Sequence, residues 1–183
     1  MKYINDIPIF IIFITLVCYV PIRILYIKNK NLDIRVSREI TFIVLITYAE
    51  SLLYLTLFPT ASAPSNTISI NLIPFQTIDL YLNYHGNVTL QIINLLGNVV
   101  VFMPIGIFAP LLLTKITFMK ILFIGFCSTL FIETMQLILS INGVVSRSFD
   151  VDDLLLNTVG VLSGFVFWLI FHKLFQNMIK SRS

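Results

Sequence analysis

The stretch IINLLGNVVVFMPIGIFAPLLL, from Ile92 to Leu113, carries no charged residue over 22 positions. A hydrocarbon core of roughly 30 Å is crossed by about 20 mostly apolar helical residues. This stretch therefore reads as a membrane-spanning helix, and Pro104 within it is tolerated as a kink. Four further stretches meet the same requirement or nearly do: Ile7 to Ile27, Ile40 to Phe58, Phe118 to Ile141 and Leu154 to Phe175. Composition agrees, since 57% of the 183 residues are hydrophobic and only 11% are charged, against about 25% charged in an ordinary soluble domain. With a mean hydropathy of +0.94, no water-soluble fold could hide the apolar surface. The expected fold is all-α: a polytopic transmembrane bundle of about five helices, forming one domain over residues 1–183.

Orientation follows from where Lys and Arg fall, because cytoplasmic loops retain positive charge. The first connection holds Lys28, Lys30, Arg35 and Arg38, with Arg23 one turn inside the first helix, where its stem can snorkel to the interface. The next connection, Pro59 to Gln91, has no basic residue, the third has Lys115 and Lys120, and the tail has Lys173, Lys180 and Arg182. Ten basic residues thus fall on one side and two, Lys2 and Arg147, on the other. The N-terminus is expected outside and the C-terminus in the cytoplasm. The long outer connection has Pro59, Pro64 and Pro74 and a Ser/Thr/Asn-rich stretch near Ala61 to Ser69. That composition signals irregular backbone rather than a sixth spanning helix. Its second half, Ile68 to Leu82, is apolar enough to dip into the membrane or lie on it.

The small net charge of +3, carried in short stretches beside apolar segments, points to a membrane surface and not to nucleic acid. Cys18 and Cys127 lie in apolar runs without metal or redox spacing, and read as small buried hydrophobes. The apolar run from Ile7 is preceded by Asp6 and not followed by a small-residue cleavage site, which favours an uncleaved first helix. Signatures for nucleophile-elbow hydrolases, HExxH metalloproteases, P-loops and dinucleotide folds do not occur. His85 on the outer loop reads as a solvated histidine, and His172 as a helix-end residue. The Asn87-Val88-Thr89 sequon is a common chance match, and the Ile/Asn/Lys-rich usage resembles that of a low-GC bacterium.

Ionisable residues at membrane depth are expensive and mark candidate sites. Glu50 and Glu133 are each eight residues from the outer end of their helix, about 12 Å below the outer surface at 1.5 Å per residue. Asn94 and Asn98 share a face by i, i+4 spacing, as do Asp153 and Asn157; Glu133 and Gln136 do so by i, i+3. The polar residues of four helices therefore gather in the outer half. Amides alone often serve as hydrogen-bonding glue between helices. Two carboxyls at matching depth favour a polar cavity, because a buried Glu must be neutral, paired or metal-bound.

A second cluster, Arg147-Ser148-Phe149-Asp150-Val151-Asp152-Asp153, stands just outside the last helix. Its acids suit the positive end of that helix, and Arg147 is then their counter-ion. One guanidinium and three carboxylates at a cavity mouth also suit a phosphate, a hydroxyl-rich head group or a hard divalent cation.

These stretches resemble the VanZ-like family of membrane proteins. The likeness rests on Asn71-Leu72-Ile73-Pro74-Phe75, on Asn94-Leu95-Leu96-Gly97-Asn98 running into Phe102-Met103-Pro104-Ile105-Gly106, and on Ile132-Glu133-Thr134-Met135-Gln136. It ends with Arg147 to Asp153 followed by Asn157-Thr158-Val159-Gly160, and covers about residues 45–172. The resemblance implies association with resistance to teicoplanin and related lipoglycopeptides, in a multi-pass protein of the bacterial cell membrane. It implies Asn71, Asn94, Asn98, Glu133, Gln136, Arg147, Asp150, Asp152, Asp153 and Asn157 as site residues; Glu50 enters from the depth argument. The expected partners are membrane lipid and a lipid-linked cell-wall precursor or the lipoglycopeptide itself, with no cofactor beyond a divalent cation. Three functions remain open. One is a non-catalytic protein whose outward cavity binds a lipid head group or cell-wall glycan. Another is a membrane enzyme using Glu133, Asp150 and Asp153 for acid/base or hydrolytic work on a lipid head group. A small transporter is the third, weakened by the lack of an inverted repeat.

Overall fold

A computed structural model of the chain describes residues 7–57, 70–83, 86–145 and 147–180. It contains α1 (Ile7–Lys30), α2 (Val36–Leu57), β1 (Ile70–Asn71), α3 (Gln76–Leu82), α4 (Val88–Leu112), α5 (Phe118–Ile141), β2 (Phe149–Asp150) and α6 (Val151–Lys180). Five of these, α1, α2, α4, α5 and α6, are long and apolar enough to cross a membrane. The chain is an all-α multi-pass membrane protein. Asp6, His85, Ser146, Arg182 and the whole Pro59 to Ser69 stretch lie outside the described residues.

The helices run beyond their apolar cores. The expected last helix starts at Leu154, but α6 starts at Val151, so Asp152 and Asp153 form its first turn. Asp150 Oδ1 accepts the Asp152 N–H, and acidic groups beside the positive dipole end favour the helix past its hydrophobic limit. For the same reason α2 begins at Val36 and takes in Glu39. Prolines 21, 104 and 110 all lie inside helices, where neighbouring protein and local adjustment can re-satisfy freed backbone groups.

Two compact units divide the chain, Met1–Pro59 and Thr60–Ser183. In the first, α1 packs on α2, and Arg23 forms a two-point ion pair with Glu39, Nε to Oε2 at 2.8 Å and Nη2 to Oε1 at 2.9 Å. Arg23 is therefore paired within the protein as well as placed near the interface. The two cysteines correct their expected placement: both are exposed. In lipid an apolar run has no need to face the protein interior, so hydrophobicity alone does not report burial.

In the second unit α4 and α6 make the most extensive packing, and glycines set its closeness. A Cβ added at Gly160 would lie 2.2 Å from the Val99 carbonyl oxygen, and one at Gly164 2.0 Å from that of Met103. Gly106 on α4 answers from the other side, with the Val161 carbonyl oxygen 1.9 Å from its absent Cβ. The paired positions advance together along both helices, so α4 and α6 run parallel with their backbones in direct contact. Such small-residue interfaces replace the hydrophobic drive that lipid removes. Helix α5 lies antiparallel to α6: Gly125 faces Val161, and Thr129 accepts a hydrogen bond from Asn157. The starts of α4 and α6 and the end of α5 thus converge, together with β1, β2 and α3, at the end the basic residues assign to the outside.

Candidate functional site

The site is built from the start of α6 outward. Asp152 is wholly enclosed, with 0% exposure, and both its oxygens accept backbone N–H groups of the preceding outer segment. Oδ1 accepts from Phe75 at 2.6 Å; Oδ2 accepts from Thr77 at 2.8 Å and Ile78 at 3.1 Å. Thr77 and Ile78 are the second and third residues of α3, the two whose amides a capping side chain ordinarily takes. The local cap position is Phe75, which has no side-chain acceptor and sits in the left-handed region at φ 68°. That conformation costs a non-glycine residue about 1–3 kcal/mol. A carboxylate 75 positions away in sequence supplies the missing cap and offsets the strain.

Asp150 is the second anchor. It pairs with Asn71 in a short parallel bridge, with Ile70 opposite Phe149. Its Oδ1 accepts from Asn71 Nδ2 at 3.1 Å and from the Asp152 N–H at 2.9 Å, and its Oδ2 accepts from the Thr77 hydroxyl at 2.6 Å. Asn71 Nδ2 also donates to the Thr77 oxygen at 2.9 Å, while Asn71 Oδ1 takes the Ile73 N–H at 3.1 Å. Beneath this layer Glu133, 1% exposed, accepts the Asp150 N–H through Oε2 at 3.2 Å. The bonds of Asn71, Phe75, Thr77 and Ile78 to Asp150 and Asp152 join the outer segment before α4 to the stretch that leads into α6, and Glu133 ties that stretch to α5. A buried polar network of this kind fixes one geometry when its members are satisfied.

Above the network lies an open cavity of about 490 Å³, within the range of small-molecule sites. Asn71, Asn94, Asn98, Arg147, Asp150 and Asp153 all line it. Asn98 donates to Asp153 Oδ1. The Arg147 backbone is clamped to the end of α5, where the Ser140 hydroxyl donates to its carbonyl at 2.7 Å and accepts its N–H at 3.0 Å. The Arg147 side chain is exposed, and its guanidinium has no ion-pair partner among the described residues.

The remaining expected residues are not among those that line this cavity. Glu133, Gln136 and Asn157 are buried and do not line the cavity, nor does Asp152. Asn157 donates to Thr129 at 3.0 Å, and its buried Oδ1 has no partner among the described residues. Glu50 lies on α2 in the first unit. Asn87 has a structural task, since its side chain accepts the Thr89 N–H at 2.8 Å and caps α4. Gln76, Thr77 and Tyr81 also line the cavity, and the sequence reading missed them. Thr77 and Tyr81 share a helical face by i, i+4 spacing, a signal visible only once 76–82 is read as a helix and not as irregular loop. Among the described residues, no three His, Cys, Asp or Glu side chains converge closely enough to hold a metal ion.

A multi-pass helical chain with a buried carboxylate network under a polar cavity is the class these observations define. The VanZ/LLP1 family model matches residues 42–172, and the chain belongs to that family. Neither the curated proteins nor the solved structures contain a match to it.

Proposed function

We propose that this protein acts in the bacterial envelope by holding a lipid head group or cell-wall glycan component in its outward cavity, thereby lowering susceptibility to teicoplanin-type lipoglycopeptides. The observation that carries the reading is the division of labour among the acidic residues. Asp152, Asp150 and Glu133 are engaged by backbone and side-chain donors that build the cavity. Arg147, Asp153 and the asparagines line it from four places, namely β1, α4, the α5–α6 connection and the first turn of α6. A guanidinium matches phosphate oxygens in a two-point geometry. Carboxylate and amide groups match the hydroxyls of a sugar or glycerol. A non-catalytic holder needs nothing more.

The test uses Arg147→Gln and Asp153→Asn, with membrane expression checked, in a host whose teicoplanin susceptibility is raised by deleting the gene. Each variant is expected to lose most of the protection given by the wild type. Full protection from both would refute the reading. A second reading, acid/base chemistry on a bound head group, draws on Asp150 and Asp153 lining one cavity. It requires turnover of an envelope lipid by the purified protein, abolished in Asp153→Asn.

A further inference from the structure

The first unit has a cavity of its own, where α1 passes into α2. It measures about 290 Å³ and is lined by Arg23, Asp33, Arg35, Arg38 and Glu39, with Ile27 and Leu32 as an apolar wall. The positive-inside distribution puts this end at the cytoplasmic interface. From these features we infer that the cavity binds the phosphate of an anionic phospholipid of the inner leaflet.

Three observations converge. First, the charges are not equivalent. Arg23 is bound at two points by Glu39 and is held against aromatic faces, 5.5 Å from the Tyr26 ring centre and 5.2 Å from that of Phe42. That group is a rigid floor with its charge already answered. Arg35 and Arg38, by contrast, have no ion-pair partner among the described residues. Arg38 rests against the same Phe42 ring, 5.6 Å from its centre, so its guanidinium is positioned by an aromatic face and not by an ion pair.

Second, both free arginines stand at the start of α2, a helix of 22 residues, whose first N–H groups and dipole add positive potential. Third, the apolar Ile27 and Leu32 share the lining with these cations. A free anion has no use for an apolar wall, whereas the glycerol and first methylenes of a lipid would lie on it. Asp33 is the one lining acid outside the Arg23 pair, and it disfavours a second negative charge on the ligand.

Full-length protein in mixed detergent–lipid micelles, titrated with phosphatidylglycerol or phosphatidylcholine and read by native mass spectrometry, tests the inference. The wild type is expected to prefer phosphatidylglycerol. Arg35→Gln with Arg38→Gln is expected to weaken that binding roughly a hundredfold, about tenfold for each charge-assisted contact to the phosphate. Lys28→Gln with Lys30→Gln removes equal charge outside the cavity, where solvent and salt screen it, and is expected to cost less than about fivefold. Arg35→Lys with Arg38→Lys keeps the charge and is expected to retain most binding, which excludes misfolding as the cause of loss. Equal losses from the arginine and lysine pairs would overturn the inference, because unspecific attraction would then explain it. So would equal binding of the two lipids. Displacement of phosphatidylglycerol by millimolar inorganic phosphate would overturn the lipid source, making this a site for a soluble anion.

Discussion

Replacing Asp152 by Asn tests the central structural claim, that one carboxylate holds the outer segment in place. The side chain is fully enclosed and accepts three N–H groups. Asn keeps the shape but offers one oxygen in place of two. Its better orientation leaves that oxygen on Thr77 and Ile78, and turns its NH₂ against the Phe75 N–H. One bond to a charged acceptor is lost, worth about 1.5–3 kcal/mol, and the two that remain become neutral bonds weaker by about 1 kcal/mol each. The total is about 3.5–5 kcal/mol, enough to free the strained Phe75 turn. Hydrogen exchange of the detergent-solubilised protein should show amide protection at Thr77 and Ile78 falling by at least a hundredfold, with the α4–α6 core unchanged. Asp153→Asn, which touches Asn98 and none of these amides, should leave them protected. Thr77 and Ile78 amides that exchange within threefold of wild type in a folded Asp152→Asn protein would refute the reasoning.

Gly164→Ala puts a methyl 2.0 Å from the Met103 carbonyl oxygen, so α4 and α6 must part. A loss of about 1–3 kcal/mol is expected from overpacking, read as a lower melting temperature in detergent. Gly97→Ala, on the facing helix α4 with nothing within 4 Å of the new methyl, should be neutral or stabilising by up to about 1 kcal/mol. Thr77→Val removes the donor to Asp150 Oδ2 and an acceptor for Asn71. It should cost about 1–3 kcal/mol and weaken any ligand of the cavity, checked by melting and by teicoplanin susceptibility together. Ser140→Ala breaks both backbone bonds to Arg147 and should speed exchange of the Arg147 amide without lowering expression.

The spanning helices were legible because lipid imposes a length and a composition that few other environments demand. The gathering of polar residues at one end was legible too, since Asn94, Asn98 and Asp153 fall at helix starts that the charge pattern places together. The partition within that group was not. Asp152 and Asp153 are adjacent and chemically identical, yet one is sealed against backbone amides and the other lines the cavity. Helical geometry turns neighbours by about 100°, and the segment that meets each face is set by tertiary contacts that no local pattern encodes. Likewise, Gly160 and Gly164 form a small-xxx-small pair visible in the sequence, but its partner strip on α4 emerges only from the packing. The exposed cysteines mark the remaining gap, because apolar runs in a bilayer do not say which side faces lipid.

The cap on α3 also imposes an order of assembly. The amides at 75–78 are synthesised early, and the carboxylate that organises them follows 74 to 77 residues later, after α4 and α5. Until the first turn of α6 reaches the outer face, Phe75 has no compensation for its conformation and the cavity has only part of its wall. Chain elongation therefore completes the cavity last, and a chain truncated before Asp152 would insert most of its helices while lacking a formed site.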